Sequence, residues 1–492
     1  MSEVRSIEVR GGVYYDSVTL MRASRALNAA EGVLSALVAM ATPLNLELLA
    51  GMGFAVPDLE PSDMVVAVRA RDEAAVAAAH LALNASLAEL SGHRSADLTG
   101  QAGPRTVTSA ARLTPEANIA LISVPGPNAF PEAMDALAAG LHVMVFSDNV
   151  TLAEEVVLKD AAAERGLLVM GPDCGTASIA GVGLGFANAV RPGPVGVVAA
   201  SGTGSQQVMC LLNAAGVGVS HVLGVGGRDL SSAVGGRSAL RAMQAMGEDP
   251  ATEVVMVVSK PPAPEVAERV RAAATGLGKP AVLALLGPGH DDLTSATGKV
   301  LAMAGAEAPQ WPVLAPQHQP PARRGALRGL FSGGTLCDEA MLIAAGRLGP
   351  VQSNIPLEPA WALPHDLRGT GHLMIDFGDD ELTRGRPHPM VDSTLRLERF
   401  AAEASDPGVA VILLDVVLGY GSHRDPAQEL SAAIRQGLRD DLAVVVSLCG
   451  TEADPQGWHR QAERLQAAGA WVHLSNAGAA RHAAALAEGK AS

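Results

Sequence analysis

Residues 194–216 read PVGVVAASGTGSQQVMCLLNAAG, a complete strand–turn–helix unit. The opening run PVGVVAA is short, continuous and apolar, the pattern of a strand buried on both faces of a parallel sheet. Ser201, Gly202, Thr203 and Gly204 turn the chain, and helical periodicity begins near Ser205. Val208, Leu211, Leu212 and Ala215 fall on one face of that helix, and Gly216 ends it. A helix start has free N–H groups and the positive end of the macrodipole, so it can hold an anion. The two glycines let a phosphate approach the backbone, and the Ser201 and Thr203 hydroxyls add donors. Taken alone, the loop is equally an ordinary β–α turn.

The unit occurs twice. LRGLFSGGT at 327–335 leads into a helix whose predicted buried face is Leu336, Ala340, Ile343 and Ala344. Further parts follow in matching order. The first copy continues with GVGGRD (224–229), VVMVVSKPP (254–262) and KPAVLALLG (279–287), the second with MIDFGDDE (374–381), VAVILLDVVLGYG (409–421) and LAVVVSLCGTEADP (442–455). This internal repeat predicts two doubly wound, flavodoxin-like domains, 192–301 and 327–492. Packed about a pseudo-twofold, they would aim both helix starts at one anion. Ser201, Gly202, Thr203 and Gly204, with Ser332, Gly333, Gly334 and Thr335, are the predicted phosphate-binding residues.

Outside the repeat, NIALISV (118–124), LHVMVF (141–146) and LLVMGP (167–172) predict a Rossmann-like domain over 110–191. Residues 1–95 alternate strand and helix signals: strands at Ser6–Arg10, Val33–Met40 and Asp63–Ala70, helices at Ser17–Asn28, from Thr42–Pro43, and at Arg71–Leu90. A ferredoxin-like α/β sandwich fits them. The polar, Gly-rich stretch 91–106 reads as one linker and the Pro-rich stretch within 302–326 as another.

Composition narrows the function classes. With 492 residues, the chain exceeds one hydrophobic core. Its 36 basic and 51 acidic residues leave a formal charge of −15, with no Lys/Arg-rich stretch to grip nucleic acid or an acidic membrane. MSEVRSIEVR has no apolar signal-peptide core, and no run reaches membrane-spanning length. The four cysteines, Cys174, Cys210, Cys337 and Cys449, lie far apart, which speaks against a zinc site or a disulfide framework. A cytoplasmic, multidomain protein is expected.

SGTG followed by GVGGRD, and preceded by VPGP (124–127) and GPDCGTA (171–177), resembles the α subunit of succinyl-CoA synthetases. The repeat after 326 resembles the C-terminal domain of their β subunit. That resemblance makes 110–191 a CoA-binding-type domain and implies opposed helix starts around a phosphohistidine. More closely, nearly the whole chain resembles the FdrA family, through FSDNVTL (146–152), LLVMGPDCGT, GGRDLS, VSKPP (258–262), GGTL, GRPHPM (385–390) and LLDVVLG. The synthetases' early Gly-rich CoA loop, their GHAGA carrier-histidine string and their ATP-grasp half have no counterpart here. His290, in GPGHDD, lacks the carrier context, and Ser259-Lys260 stands where the family's orienting acid would fall.

The FdrA resemblance implies a subunit of an oxamate carbamoyltransferase in allantoin and purine breakdown. Oxalurate and phosphate would give oxamate and carbamoyl phosphate. The implied ligands are a small ureido or carboxylate substrate and inorganic phosphate, and the implied partners are the other subunits of the FdrA complex, with a homo-oligomer left open. No cofactor is firmly implied; CoA loses its loop, and magnesium at the acidic run Asp376, Asp379, Asp380 and Glu381 competes with a plain solvated loop. The alternatives are an acyl-CoA synthetase subunit working with an ATP-grasp partner, and a non-catalytic scaffold.

The remaining candidates follow from strand ends and loop chemistry. Asp173 follows a strand end, where open sheets bind ligands, and Cys174 reads as a small buried residue. Gly226, Gly227 and Arg228 are candidate substrate contacts, with an ion pair as the alternative for Arg228. Lys260 is a candidate carboxylate contact. In the stiff GRPHPM loop, Arg386 is a candidate anion contact and His388 a proton carrier titrating near pH 6.5.

Overall fold

Strands Val4–Arg10, Val33–Met40 and Met64–Ala70 form an antiparallel sheet with the last in the centre. Helices Ser17–Asn28 and Glu73–Gly92 cover one face, where Leu20, Leu27, Val66, Ala79 and Leu83 interlock. Leu49, Phe54, Val65 and Ala67 cluster on the other face. Alternation along Met64–Ala70 feeds both layers, because successive side chains point to opposite sides. The computed structural model describes residues 3–11, 17–41, 45–46, 49–50, 52–55, 59, 63–92, 104–383 and 387–490. The helix start expected at Thr42–Pro43 and most of the linker expected at 91–106 lie outside them. Two compact units result, one of residues 1–104 with 383–387 and one of 105–382 with 388–492.

The second unit contains three sheets. Ile119–Ile122, His142–Val145 and Val169–Met170 are parallel, packed with helices Gly126–Ala138 and Leu152–Glu164. The second sheet runs in the order 281–285, 254–259, 192–200, 219–224, then the hairpin Thr176–Ile179 and Val182–Gly185. That hairpin precedes residue 192 yet pairs antiparallel with Val219–Gly224, so this sheet begins before the predicted boundary. The third sheet orders 313–314, 470–473, 443–449, 409–417, 326–331, 372–376 and 351–353. Its edge strand Val313–Leu314 comes from the predicted linker and pairs with Ala470–His473.

The internal repeat is visible in this order. Strands 281–285, 254–259, 192–200 and 219–224 match 443–449, 409–417, 326–331 and 372–376, all parallel. In each sheet the chain leaves the central strand to one side and then crosses to the other. The crevice at that reversal is where open α/β sheets bind ligands. SGTG follows strand 192–200 and SGGT follows strand 326–331, so both loops open at reversal points.

One apolar core runs through both domains, from Val195 and Leu211 to Leu336, Leu413 and Val446. Helix Gly202–Ala214 shows why. The sequence predicts one apolar face, but every residue from Thr203 to Leu212 is buried. Its second face packs against the other domain: Gln207 Nε2 donates to the Leu474 carbonyl at 3.0 Å, and Cys210 Sγ lies 3.8 Å from Cys449 Sγ. All four cysteines are free and buried. Among the described residues no helix is long and apolar enough to cross a membrane, and no three His, Cys, Asp or Glu side chains gather as a metal site requires. The acidic run Asp376, Asp379, Asp380 and Glu381, read as a solvated loop with magnesium as the alternative, forms no such cluster among them.

Candidate functional site

Both helices begin earlier than the periodicity suggests, at Gly202 and Gly334 rather than near Ser205 and Leu336. Ser201 is the first cap: its Oγ accepts from Gly204 N–H at 2.9 Å. The same hydroxyl donates to Thr335 Oγ1 at 2.7 Å, across the two domains. Gly333 lies so close to Thr203 that a Cβ there would come within 2.5–2.7 Å of three of its side-chain atoms. The SGTG and SGGT loops therefore meet within one chain. Ser201, Thr203, Ser332 and Thr335 are all buried, whereas Gly202 is exposed and Gly334 half-buried.

The two loops are not equivalent. Asp415, fully buried in strand Val409–Val417, accepts from Ser332 N–H at 2.7 Å, Ser332 Oγ at 2.8 Å and Gly333 N–H at 2.9 Å. Arg396 Nη1 donates to the same carboxylate at 2.7 Å. Ser332 and Gly333, expected to hold phosphate, thus spend their donors on an anion built into the fold. The donors left for a ligand are those of the first helical turns, from Gly202 and Thr203 on one side and from Gly334 and Thr335 on the other.

Lys260 comes to this joint because its strand, Val254–Ser259, neighbours strand Pro192–Ala200 and ends level with it. A Cβ on Gly334 would stand 2.7 Å from Lys260 Nζ and 2.6 Å from Asp376 Oδ2. Lys260 also pairs with Asp338 at 3.6 Å. Burial works against the ammonium charge, but Asp338 and Asp376 outweigh it and hold the lysine pKa above its usual value. Burial pushes the Asp376 carboxyl up to about 7, although Lys260 and the Gly378 N–H oppose the rise. Asp338 is raised by the same desolvation.

His388 stands beside this group: a Cβ on Gly378 would lie 2.9 Å from His388 Nε2 and 3.1 Å from Asp376 Oδ1. Its Nδ1 accepts from Met390 N–H at 3.2 Å, which leaves Nε2 to carry the proton. Desolvation, with Arg396 nearby, lowers its pKa to about 4, so the expectation of titration near pH 6.5 is corrected. At neutral pH this is a neutral imidazole. Its predicted partner Arg386 lies outside the described residues.

The predicted substrate contacts separate. Asp173 is exposed, lies within electrostatic reach of both Lys260 and Arg228, and has Gly227 alongside it. Gly226, at φ +88°, packs against the Pro172 carbonyl, an approach only glycine permits. Arg228 makes the ion pair that stood as its alternative reading: it pairs with Glu155 at 2.9 Å and donates to the Val150 carbonyl at 2.8 Å. Glu155 continues through buried Lys159 to Asp229, each link 2.7 Å. Cys174 is buried, and desolvation pushes its thiol up to about 12, far from a nucleophile's range. His290 is exposed in a turn closed on the Gly287 carbonyl.

Reasoning from sequence missed Asp338, Arg396 and Asp415 altogether and read Asp376 only as a candidate metal ligand. Asp415 left a signal, an acid inside the apolar run VAVILLDVVL, where a charge is costly unless paired. Asp338 left none. A cleft of about 490 Å³ lined by Arg324, Arg347, His372 and Lys490 lies by the opposite, N-terminal end of strand Ala326–Phe331.

Three family models match: CoA-ligase over residues 330–486, CoA binding domain over 190–285, and AllF, heavy metal-associated domain, over 1–104. The CoA-binding match falls on the stretch read as the first flavodoxin-like domain, not on 110–191. YahF, an uncharacterized protein of Escherichia coli K12, is 39% identical over 94% of this chain and 95% of its own length. Succinate–CoA ligase (ADP-forming) subunit alpha 2 of Archaeoglobus fulgidus is 30% identical over 30% of this chain, and the match spans half of that relative. The dinucleotide-forming acetyl-coenzyme A synthetase 1 of Ca. Korarchaeum cryptofilum, solved with phosphate and ADP, aligns at 17% identity over 80% of this chain and 88% of that one. Its TM-score of 0.30 is too low to carry an argument.

Proposed function

Because this chain belongs to the FdrA family of succinyl-CoA-synthetase α-like proteins, we propose that it is a subunit of an acid–thiol-ligase-type enzyme that holds a phosphate or phosphoryl group between its two helix starts. The observation that carries this reading is the joint itself, Ser201 Oγ on Thr335 Oγ1 at 2.7 Å with Lys260 at the Gly334 end. First-turn N–H groups and one ammonium are the kind of preorganised donors that stabilise the charge of a phosphate leaving or attacking a carbonyl carbon. Asp376 and Asp338 keep that ammonium charged. The group transferred is an acyl group. The CoA thiol, giving up its proton, attacks the carbonyl carbon of an acyl phosphate; the C–S bond forms, the bond from that carbon to the phosphate oxygen breaks, and inorganic phosphate stays on the joint. In the reverse direction phosphate attacks the thioester carbonyl and the CoA thiolate leaves. CoA, as the thiol acceptor, and ATP, handled by a partner subunit, belong to this proposal.

A second reading keeps the same site with phosphate as nucleophile toward a ureido carbonyl, giving carbamoyl phosphate. Asp338 and Asp376 favour it, since their carboxyl oxygens would accept from ureido N–H groups. The similarity to CoA ligases supports the first reading.

One assay separates the two. The chain, co-purified with its partner subunits, is given acyl phosphate and CoA in one arm and ureido acid and phosphate in the other. Thioester formation is expected in the first arm, and Lys260→Ala should lower turnover about 100-fold or more, the usual cost of a lost charge-stabilising donor. Carbamoyl phosphate alone would favour the second reading. Activity in neither arm, or an unaffected Lys260→Ala enzyme, would overturn the assignment of the joint.

A further inference from the structure

Resting on the phosphoryl reading above, we propose that Asp376 makes the joint selective for oxyanions that bring a proton with them, so that phosphate is retained and sulfate refused. Asp376 ends strand His372–Asp376, in register with Phe331, and so stands immediately beside the SGGT loop. Its backbone is clamped on both sides by Asn354, which donates to the Asp376 carbonyl at 2.9 Å and accepts from the Asp376 N–H at 3.0 Å. One carboxyl oxygen is fixed by Gly378 N–H at 2.9 Å. The other, Oδ2, has no donor among the described residues and faces Gly334, at the start of the second helix. Asp376 as a whole residue is only 4% exposed.

An anion resting on the Gly334 and Thr335 N–H groups would therefore meet a buried acceptor oxygen as well as donors. Two fully ionised oxygens in that position repel. The contact becomes a hydrogen bond only when one proton lies between them. Hydrogen phosphate carries that proton; sulfate does not, and binds only where Asp376 itself is protonated. The groups facing Asp376 are Lys260 from the neighbouring domain, Cys337 and Asp338 on the Gly334 helix, and Asp379 and His388 from the chain that follows. Lys260 supplies the single positive charge among them, His388 is neutral, and the carboxyl groups raise the cost of a second unneutralised anion. Burial leaves Asp376 half-protonated near neutral pH, which places the changeover within a testable range.

Calorimetric titration of the full chain with phosphate and with sulfate, at pH 7, 8 and 9 and constant ionic strength, tests this. Phosphate affinity should change less than about threefold across the range. Sulfate affinity should fall roughly tenfold per pH unit, the slope of one linked proton. In Asp376→Asn, whose amide donates at every pH, sulfate should bind independently of pH and about as well as phosphate. If the wild-type chain binds both anions alike with the same pH dependence, or Asp376→Asn discriminates as well as wild type, the assignment of Asp376 falls while the phosphate site stands. If the wild-type chain binds no phosphate, the phosphoryl reading falls and takes this inference with it. The wild-type comparison decides even if the variant fails to fold.

Discussion

Two glycines that the sequence makes look equivalent do opposite things. A Cβ on Gly202 would meet only Thr176 Oγ1, at an ordinary 3.4 Å. On Gly333 it would come within 2.7 Å of three Thr203 atoms, closer than atoms approach without something moving. Gly333→Ala should force the two loops apart and cost about 1–3 kcal/mol, the range for overpacking a filled interior. Gly202→Ala should stay within about 0.5 kcal/mol of wild type, as for an uncomplicated surface change. Urea denaturation of the two variants side by side checks the pair. Equal costs would mean that the Gly333–Thr203 contact does not hold the domains together. The same comparison explains Gly334, where a side chain is excluded by functional groups, Asp376 Oδ2 and Lys260 Nζ, and not by backbone.

Among the elements, the last strand and helix carry a titration of their own. His473, on strand Ala470–His473, meets His482 of helix Asn476–Ala487, Nε2 to Nδ1, at 2.8 Å. His482 Nε2 is buried with no hydrogen-bond partner, and Trp471 packs edge-on against the ring at 4.5 Å. Desolvation lowers His473 to about 3 and lowers His482 as well. For a base whose folded pKa lies below its unfolded value, stability is present above the unfolded value and lost as pH falls. The pair should therefore cost stability from about pH 6.5 downward. His482→Gln can keep a hydrogen bond to His473 while removing one buried base, so its urea midpoint should drop less between pH 7 and 4.5 than that of wild type. Identical slopes would place the acid sensitivity elsewhere.

Across the whole molecule, a buried acid works in the opposite direction. Glu339, 1% exposed between the two domains, accepts from Leu293 N–H at 2.6 Å and Asn476 Nδ2 at 2.7 Å, yet burial still pushes its carboxyl up to about 7. A folded pKa above the unfolded one contributes stability that is complete below about pH 4.5 and lost as pH rises through 7. Glu339→Gln removes that loss. Relative to wild type it should gain stability between pH 5 and pH 8, on the order of 1–3 kcal/mol. Chemical denaturation at the two pH values checks it; a gain that is the same at both would show that Glu339 does not titrate in this window.

The sequence by itself determined the parts. Apolar strand runs followed by small-residue turns established two doubly wound domains, because burial on both faces demands such runs whatever the partner. The repeat order, the N-terminal strands and the two loops as a pair were legible for the same local reason. Lys260 could be named because it follows a strand end. Only the tertiary structure decided what the loops do to each other. Asp415 lies 82 residues from Gly333 yet takes its N–H, Thr335 takes the Ser201 hydroxyl across 134 residues, and strands 176–185 and 313–314 cross the predicted boundaries to complete neighbouring sheets. The pKa values of His388 and Asp376 depend on which side chains exclude water from them, and that is a property of packing between distant segments. Local pattern fixes strands, turns and helix starts, since those depend on neighbours in sequence; the occupancy of a donor and the charge of a buried group depend on neighbours in space.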